Sequence, residues 1–267
     1  MVFAKKSLGQ NFLMHQQTAE RIVAAAKLPH DATVLEIGPG TGMLTRALLA
    51  TVGQGGKIIA VEADNALAPQ LEEAFAEEIK AGSLEIVHAD IRTFDPKNIS
   101  GPYHVVANIP YYITGEIIRQ FLSATHKPES MTVLVQKEVA ERIARNHGKE
   151  SLLSLSVTAY GTPEYCFTVP KGAFVPAPSV NSAVLAIRHI RADVFSSKED
   201  EDWFFSVLRA GFAHKRKRLA KNLEVLAPQE RIIRAAQAVG LSPNTRPEDV
   251  PIQTWKLLAA ELSVGAA

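Results

Sequence analysis

The residues Asn108-Ile109-Pro110-Tyr111 follow a β-branched run and could together hold an aromatic amine. The amide oxygen of Asn108 and the backbone carbonyl of Ile109 can each accept an N–H, while Pro110 fixes the turn and the Tyr111 ring can stack on a base. The N6 amine of adenine is a poor nucleophile because its lone pair is delocalised into the ring. Two acceptors that hold this amine near tetrahedral geometry would favour its methylation. The four residues therefore predict a catalytic site for methyl transfer, and the structural alternative is a proline turn with a core tyrosine.

A glycine-rich run, Glu36-Ile37-Gly38-Pro39-Gly40-Thr41-Gly42, directly follows the first predicted strand of the sheet. Ligands bind at this turn in doubly wound sheets, because glycine lets the backbone approach them closely. The spacing is G-x-G-x-G, not the G-x-G-x-x-G of dinucleotide enzymes, and Pro39 removes an N–H donor that a pyrophosphate would need. We predict that Gly38 and Gly40 contact S-adenosylmethionine, a nucleoside without phosphate. The alternative is a tight turn without a ligand.

Acidic residues end the second and third predicted strands. Glu62 can accept both ribose hydroxyls of the cofactor, and Asp90 can accept from its adenine amine. Either residue alone could be a solvated acid, but three strand ends converging on one rim favour a binding site. The sulfonium is already a strong methyl donor, so we expect neither a metal nor a covalent enzyme intermediate.

The predicted elements between these motifs alternate strand with helix. Five strands joined by helical crossovers imply a parallel sheet covered on both faces. We predict strands over residues 33–37, 57–62, 84–89, 104–108 and 131–135, and helices over 18–28, 43–50, 66–79 and 116–123.

Two further predicted strands, over residues 164–169 and 183–189, are joined by a loop too short for a helical crossover. They should therefore pair antiparallel. The predicted fold is α/β: a Rossmann-like class I methyltransferase with a mostly parallel seven-stranded sheet and an antiparallel end pair, plus a small C-terminal all-helical domain. We place the domains at residues 1–192 and 193–267. Helices are predicted over 152–160, 199–212, 215–224, 229–239 and 252–262.

The ordered motifs resemble those of the KsgA family of ribosomal RNA adenine N6,N6-dimethyltransferases over nearly the whole chain. The run 6–13 is similar to the family's opening motif, which implies that Asn11 and Leu13 touch the cofactor, as Asn108 would too. The run 174–180 resembles the family's F-x-P-x-P-x-V loop, which implies that Phe174 packs on the target base opposite Tyr111. The run 136–142 also resembles a family segment.

The resemblance implies S-adenosylmethionine-dependent dimethylation of adjacent adenosines near the 3′ end of 16S ribosomal RNA, during biogenesis of the small subunit. Two departures from the family pattern lie in the catalytic motif. Ile109 replaces a commoner leucine, and Tyr112 stands where many relatives have a small or polar residue. The carbonyl at position 109 is backbone and is kept, so Tyr112 is the change that bears on how the pocket admits a second methyl.

A basic run lies in the predicted helix 215–224. Such a run is often a solvated helical face, but the resemblance implies an RNA partner whose phosphates these side chains would contact. We therefore predict binding to ribosomal RNA of the 30S subunit through Lys215, Arg216, Lys217, Arg218 and Lys221.

The composition of the 267-residue chain is that of an ordinary globular protein, with a formal net charge of +1 and 46% hydrophobic residues. The single cysteine, Cys166, excludes an internal disulfide, and we interpret it as a core residue of a cytosolic protein. No export signal and no apolar stretch of membrane-spanning length is expected. We expect a cytoplasmic monomer with no membrane partner.

Three alternatives differ in target or in class. Resistance methyltransferases of the large subunit share the fold and the N-x-P-Y type of motif, although the F-x-P-x-P-x-V loop and helical tail favour the small-subunit enzyme. A DNA adenine methyltransferase would need an additional target-recognition region. A binding factor that docks on immature subunits is the third alternative, and catalysis and docking can coexist in one protein.

Overall fold

In the computed structural model, which describes residues 9–53, 55–144, 148–214 and 216–263, the chain divides into two units. The first unit runs to residue 141 and resumes at 161–191, and the second contains residues 142–160 and 192–267. Residues 148–160 thus belong to the same unit as the C-terminal helices, although the sequence predicts that they lie in the first domain. The physical reason is the packing of Tyr160 against α8 of the second unit (Lys198–Gly211). Its ring stacks on Phe205, with ring centroids 5.7 Å apart, and its hydroxyl donates to Glu201.

A seven-stranded sheet forms the centre of the first unit, as predicted. The strands are β2 (Thr33–Ile37), β3 (Lys57–Glu62), β4 (Leu84–His88), β5 (His104–Asn108), β6 (Ser130–Gln136), β7 (Thr162–Val169) and β9 (Ser182–Arg188). Their order is β4-β3-β2-β5-β6-β9-β7; the first five are parallel, and β9 pairs antiparallel with both β6 and β7. The order reverses between β2 and β5, the position where such sheets bind ligands.

A second, two-stranded sheet was not predicted. Strand β1 (Phe12–Leu13) pairs antiparallel with β8 (Phe174–Val175), with Phe12 opposite Val175 and Leu13 opposite Phe174. The side chains of Leu13 and Phe174 are buried in the hydrophobic core. Two residues are too few to show a period-two pattern, so this pairing is invisible in the sequence.

The helices predicted for the first unit are present, except that residues 66–79 do not form one helix. There the chain forms two helices separated at Phe75, whose backbone leaves helical geometry (φ −123°, ψ 28°). The Phe75 ring is buried against Gly42, where an added Cβ would approach it to 2.6 Å. The helices are α1 (Gln16–Ala26), α2 (Met43–Thr51), α3 (Ala68–Ala74), α4 (Ala76–Lys80) and α5 (Thr114–Ser123). A further helix, α6 (Lys137–Ala144), was not predicted; it begins in the first unit and ends in the second.

The second unit is helical and packs around the fully buried Trp255. Only the second half of the helix predicted over 215–224 is present, at Leu219–Leu223. The backbone of Arg218 is extended, and the side-chain nitrogen of Asn222 donates to the carbonyls of Gly211 and His214, which holds the preceding chain outside the helix. Lys215 lies outside the described residues. The helices are α7 (Leu152–Thr158), α8 (Lys198–Gly211), α9 (Leu219–Leu223), α10 (Gln229–Ala238) and α11 (Ile252–Ser263). Within the described part of the chain, no helix has the length and apolar character that crossing a bilayer requires.

Candidate active site

The carboxyl ends of β2, β3 and β5, the turn that follows β4, and the segment before β1 border one cleft in the first unit. The cleft has a volume of about 840 Å³, including the solvent-open space at its mouth. It brings together the glycine loop, both strand-end acids and the catalytic tetrapeptide. It is lined by Gly9, Gln10, Asn11, Phe12, Ile37, Gly38, Gly40, Val61, Glu62, Ala63, Ala89, Asp90, Ile91, Arg92, Asn108, Ile109, Pro110, Tyr111, Tyr112 and Ile113.

The glycine loop leaves β2 in a conformation that side chains disfavour. Gly40 has a φ of +60°, and a Cβ there would lie 3.0 Å from the Phe12 ring. Glycine is therefore required both by the backbone angle and by the close approach of the N-terminal segment. The amide of Gly40 donates to the carboxylate of Glu62 at 3.1 Å, which joins the loop to the end of β3.

Glu62 is nearly buried, and burial raises its pKa above the usual carboxyl value. One carboxylate oxygen accepts from Gly40 and the other from the amide of Asp64, at 2.8 Å. Each oxygen keeps a second lone pair, which fits the acceptance of ribose hydroxyls. Asp64 in turn accepts from the Gln10 side chain at 2.9 Å, so the N-terminal segment is tied to the same cluster.

Asp90 begins the turn after β4 and is more exposed than Glu62. Its carboxylate accepts from the backbone and the guanidinium of Arg92, and this pairing lowers the pKa of Asp90 below its usual value. The Arg92 side chain lines the cleft as well. Arg92 was not among the residues predicted from the sequence, although an arginine two residues after a strand-end acid is the available signal.

The side chain of Asn108 is oriented by the N-terminal segment. Its amide nitrogen donates to the backbone carbonyl of Asn11 at 3.0 Å, and the Asn11 side chain donates to the carbonyl of Gly9 at 3.1 Å. Because the nitrogen of Asn108 is used in this way, its Oδ1 is the atom left to accept from a ligand. The orientation is the one that acceptance of an N6–H would need.

Tyr111 is fixed at both ends. Its backbone belongs to the 3₁₀ turn Tyr111–Ile113, and its hydroxyl lies 2.5 Å from that of Ser182 on β9. Burial raises the pKa of Tyr111, so the phenol stays neutral. The next residue, Tyr112, is 61% exposed at the cleft, and its ring lies against Gly9, where an added Cβ would approach it to 2.9 Å.

Two residues that the family resemblance suggested lie elsewhere. Phe174 and Leu13 face each other across the β1–β8 pair, are 2% and 5% exposed, and belong to the core rather than to the cleft lining. The reason is alternation along the strand, which turns Phe174 inward while its neighbour Val175 is 55% exposed. Phe174 is not among the residues that line the cleft, and its stacking on a base opposite Tyr111 stays a prediction.

A buried carboxyl beside the cofactor cluster was not predicted either. Glu36 is fully buried on β2, and neither of its oxygens has a hydrogen-bond partner among the described residues. Burial is the main cause that raises its pKa to about 8. The nearby Thr45 hydroxyl opposes the rise although it does not reach hydrogen-bonding geometry, and the negative charge of Glu62 adds to it. An acid in a β-branched strand is the signal that could have identified it.

The basic residues form part of a groove in the second unit. Arg216, Lys217, Arg218 and Lys221 line it together with apolar side chains of α9 and α10, among them Ile232. Lys221 forms an ion pair with Glu224 at 2.5 Å. In the described part of the chain, no group of three or more histidine, cysteine or acidic residues could hold a metal ion.

Comparison with known proteins places this geometry in a family. The model of the ribosomal RNA adenine dimethylase family matches residues 1–263. The chain belongs to this family. Members of the ribosomal RNA adenine dimethylase family are S-adenosylmethionine-dependent methyltransferases, which agrees with the phosphate-free glycine loop and the acids beside it.

Similar proteins cover nearly the whole of this dimethylase. The ribosomal RNA small subunit methyltransferase A of Dehalococcoides mccartyi is 42% identical and covers 97% of this chain and 88% of its own. That of Fusobacterium nucleatum is 36% identical and covers 94% of each chain. The crystal structure of the 23S rRNA methyltransferase ErmE is 28% identical, with a TM-score of 0.74 over 95% of this chain and all of that one. A dimethyladenosine transferase from Plasmodium falciparum, at 23% identity and a TM-score of 0.78, shares the fold.

Proposed function

We propose that this dimethylase transfers two methyl groups to N6 of each of two adjacent adenosines near the 3′ end of small-subunit ribosomal RNA. Support for the small subunit comes from relatives named ribosomal RNA small subunit methyltransferase A, at up to 42% identity. The observation that carries the chemistry is the hydrogen bond from Asn108 to the carbonyl of Asn11. It leaves an amide oxygen as the acceptor in a cleft that also holds the glycine loop.

In the proposed mechanism, Oδ1 of Asn108 and the carbonyl of Ile109 accept the hydrogens of the target amine. This holds the nitrogen lone pair away from the ring system and toward the methyl donor. Tyr111, held by Ser182, stacks on the extruded base. Glu62 and Asp90 hold the ribose and adenine of S-adenosylmethionine, with Gly38 and Gly40 giving close backbone approach. When bound, S-adenosylmethionine would supply an activated methyl group and leave as S-adenosylhomocysteine, and the amine would lose one proton to solvent at each transfer. The chain's own residues bind the cofactor and orient the target amine.

Docking on the RNA is assigned to the second unit. Arg216, Lys217 and Arg218 line the groove without an acidic neighbour closer in sequence than Glu224. Phosphate contacts by such side chains supply affinity that does not depend on base sequence. We propose the 30S subunit as the partner, a monomeric enzyme and a cytoplasmic location, where ribosomal subunits are assembled.

The large subunit is the second candidate target. The observation that favours it is the likeness to ErmE, which extends over 95% of this chain at 28% identity. Relatives named for the small subunit are more similar in sequence, and this supports the first candidate.

The deciding experiment supplies labelled S-adenosylmethionine and unmethylated 30S or 50S subunits to the purified protein. Mass spectrometry of ribonuclease fragments then maps the methylated bases. We expect two adjacent N6,N6-dimethyladenosines near the 3′ end of 16S RNA. Label confined to 23S RNA would assign the other target, and stable 30S binding without label in either RNA would indicate a docking factor.

A further inference from the structure

Both carboxylate oxygens of Asp90 accept hydrogen bonds from Arg92. The backbone amide and Nε of Arg92 donate to Oδ1 at 2.9 and 3.1 Å, and Nε and Nη2 donate to Oδ2 at 3.1 and 2.6 Å. A carboxylate offers about four lone-pair sites. While this pair is closed, three N–H groups of Arg92 occupy both oxygens of Asp90, with the Nε hydrogen shared between them, so the adenine amine that the proposed function assigns to Asp90 must compete with Arg92.

The pair is built to open without disturbing the fold. The side chains of Asp90 and Arg92 are 37% and 49% exposed, and an ion pair of that exposure contributes little to stability. The backbone hydrogen bond from Arg92 to Oδ1 does not depend on the guanidinium. The Thr93 hydroxyl donates to the carbonyl of Asp90 at 2.9 Å and fixes the turn further. Asp90 therefore keeps its place when the Arg92 side chain leaves.

A released guanidinium would be next to the substrate side of the cleft. Arg92 and Tyr112 line the same cleft, and Tyr112 follows Tyr111, the residue proposed to stack on the base. Arginine binds phosphate with two parallel hydrogen bonds, as it binds carboxylate. Glu116 on α5 is an acid with which the released guanidinium could pair instead of a phosphate, and the experiment separates these two partners.

We propose that Arg92 exchanges partners during the reaction cycle: the cofactor's adenine amine replaces it on Asp90, and the freed guanidinium binds a phosphate of the RNA beside the target adenosine. This inference rests on the proposed role of Asp90 and on the RNA substrate. It makes the two binding events cooperative, because bound cofactor releases an RNA ligand and bound RNA removes a competitor for Asp90.

The test measures both affinities and their coupling. Calorimetry gives the affinity for S-adenosylhomocysteine, the unreactive product, and filter binding gives the affinity for 30S subunits with and without it. The wild-type protein is expected to bind subunits several-fold more tightly when S-adenosylhomocysteine is present. Arg92→Ala is expected to bind S-adenosylhomocysteine about two- to fivefold more tightly and to lose the coupling. Arg119→Ala removes the same charge from the exposed face of α5, outside the cleft, and should keep the wild-type coupling.

The other outcomes overturn the proposal in distinguishable ways. Weaker S-adenosylhomocysteine binding by Arg92→Ala would make Arg92 a direct ligand of the cofactor. Coupling that persists in Arg92→Ala would refute the phosphate contact. Coupling that is lost only when Glu116 is replaced as well would refute it too. Unchanged S-adenosylhomocysteine affinity in Asp90→Ala would instead remove Asp90 from the cofactor site and refute that part of the proposed function, leaving the methylation map to be judged separately.

Discussion

The side-chain nitrogen of Asn108 donates to the backbone carbonyl of Asn11 at 3.0 Å, across a long stretch of sequence. This bond makes the segment before β1 part of the catalytic arrangement, because it decides which atom of the Asn108 amide faces the cleft. The same segment places the Gln10 side chain on Asp64, and β1, which follows it directly, places the Phe12 ring against Gly40. The methyl-accepting and cofactor-holding sides of the cleft thus share one support.

Removing the amide of Asn108 should abolish most catalysis without abolishing RNA binding. Asn108→Ala loses an acceptor used in the reaction, and we expect methyl transfer to fall by about 10²-fold or more. Asn108→Asp keeps the acceptor but loses the donor that Asn11 requires, so it should be impaired as well. Single-turnover transfer on bound 30S subunits measures the effect, and near wild-type rates in both variants would reduce the tetrapeptide to a turn.

Substitutions at Tyr111 should separate the contribution of its ring to methyl transfer from that of its hydroxyl. Tyr111→Phe keeps the stacking surface and loses only the bond to Ser182, so we expect a modest loss of activity, matched by Ser182→Ala. Tyr111→Ala removes the stacking surface, worth about 1–3 kcal/mol per base, and should lose most transfer. Transfer rates of the three variants on 30S subunits test this order. Equal rates for Tyr111→Phe and Tyr111→Ala would contradict it.

Glu62 should contribute directly to cofactor affinity. Glu62→Ala removes the acceptors for the ribose hydroxyls, and we expect a loss of about 1–3 kcal/mol of S-adenosylmethionine affinity. Because Glu62 also accepts from Gly40 and Asp64, circular dichroism and thermal melting must first show that the variant is folded. An unchanged calorimetric affinity in a folded protein would place the ribose elsewhere.

The buried carboxyl of Glu36 should make stability depend on pH. Its pKa in the folded protein is about 8, above the ordinary 4.5, so the folded state holds a proton that the unfolded state releases between these values. Stability from this group is therefore fully present below about pH 4.5 and is lost as the pH rises toward 8, by at most about 1.4 kcal/mol per pH unit. Glu36→Gln should flatten the dependence.

Urea unfolding of the wild type and of Glu36→Gln at pH 5, 6, 7 and 8 checks this expectation. The free-energy difference between the two proteins should favour the glutamine variant increasingly as the pH rises. Glu73→Gln, on the exposed face of α3, is the matched control and should track the wild type. Parallel curves for all three proteins would contradict the burial argument.

The basic groove should determine the salt dependence of docking. Each phosphate that the protein no longer neutralises should lower the slope of log affinity against log salt by roughly 0.7 to 0.9. Replacing Lys217, Arg218 and Lys221 by alanine should weaken 30S binding and make its salt dependence shallower. Cofactor affinity should not change, because the groove belongs to the second unit and the cleft is built from the first.

Binding isotherms at several salt concentrations test the groove. Arg234→Ala, which removes an exposed charge of α10 outside the groove, serves as the control and should keep the wild-type slope. A triple variant with that same slope would reassign the basic residues to solubility.

Strong local patterns made most of the first unit predictable. The strands of the parallel sheet are β-branched runs, and the three motifs that follow strands meet at one edge because parallel strands end there together. Features that depend on contacts distant in sequence were not predictable. The break at Phe75 reflects its burial beneath Gly42, and the unwound chain before α9 reflects the bonds of Asn222.

The same limit applies within the cleft. The sequence predicts that Gly40, Glu62, Asp90 and Asn108 share a cleft because each lies at or just after the end of a parallel strand, and the structure brings the four together. Their contacts with a ligand stay predictions. The pairing of Asp90 with Arg92 and the isolation of Glu36 follow from side-chain directions and burial, which spacing does not encode. The inward turn of Phe174 follows from the β1–β8 register, which two residues cannot reveal.

The pairing of β1 with β8 also sets an order of assembly. Phe12 is translated 163 residues before its partner Val175. The parallel strands and the glycine loop are complete well before then. Since a long-range strand pair forms only after both of its strands exist, the wall of the cleft that orients Asn108 closes late. A nascent chain that ends before β8 thus carries every cofactor-binding motif and still lacks the β1–β8 pair that aligns them.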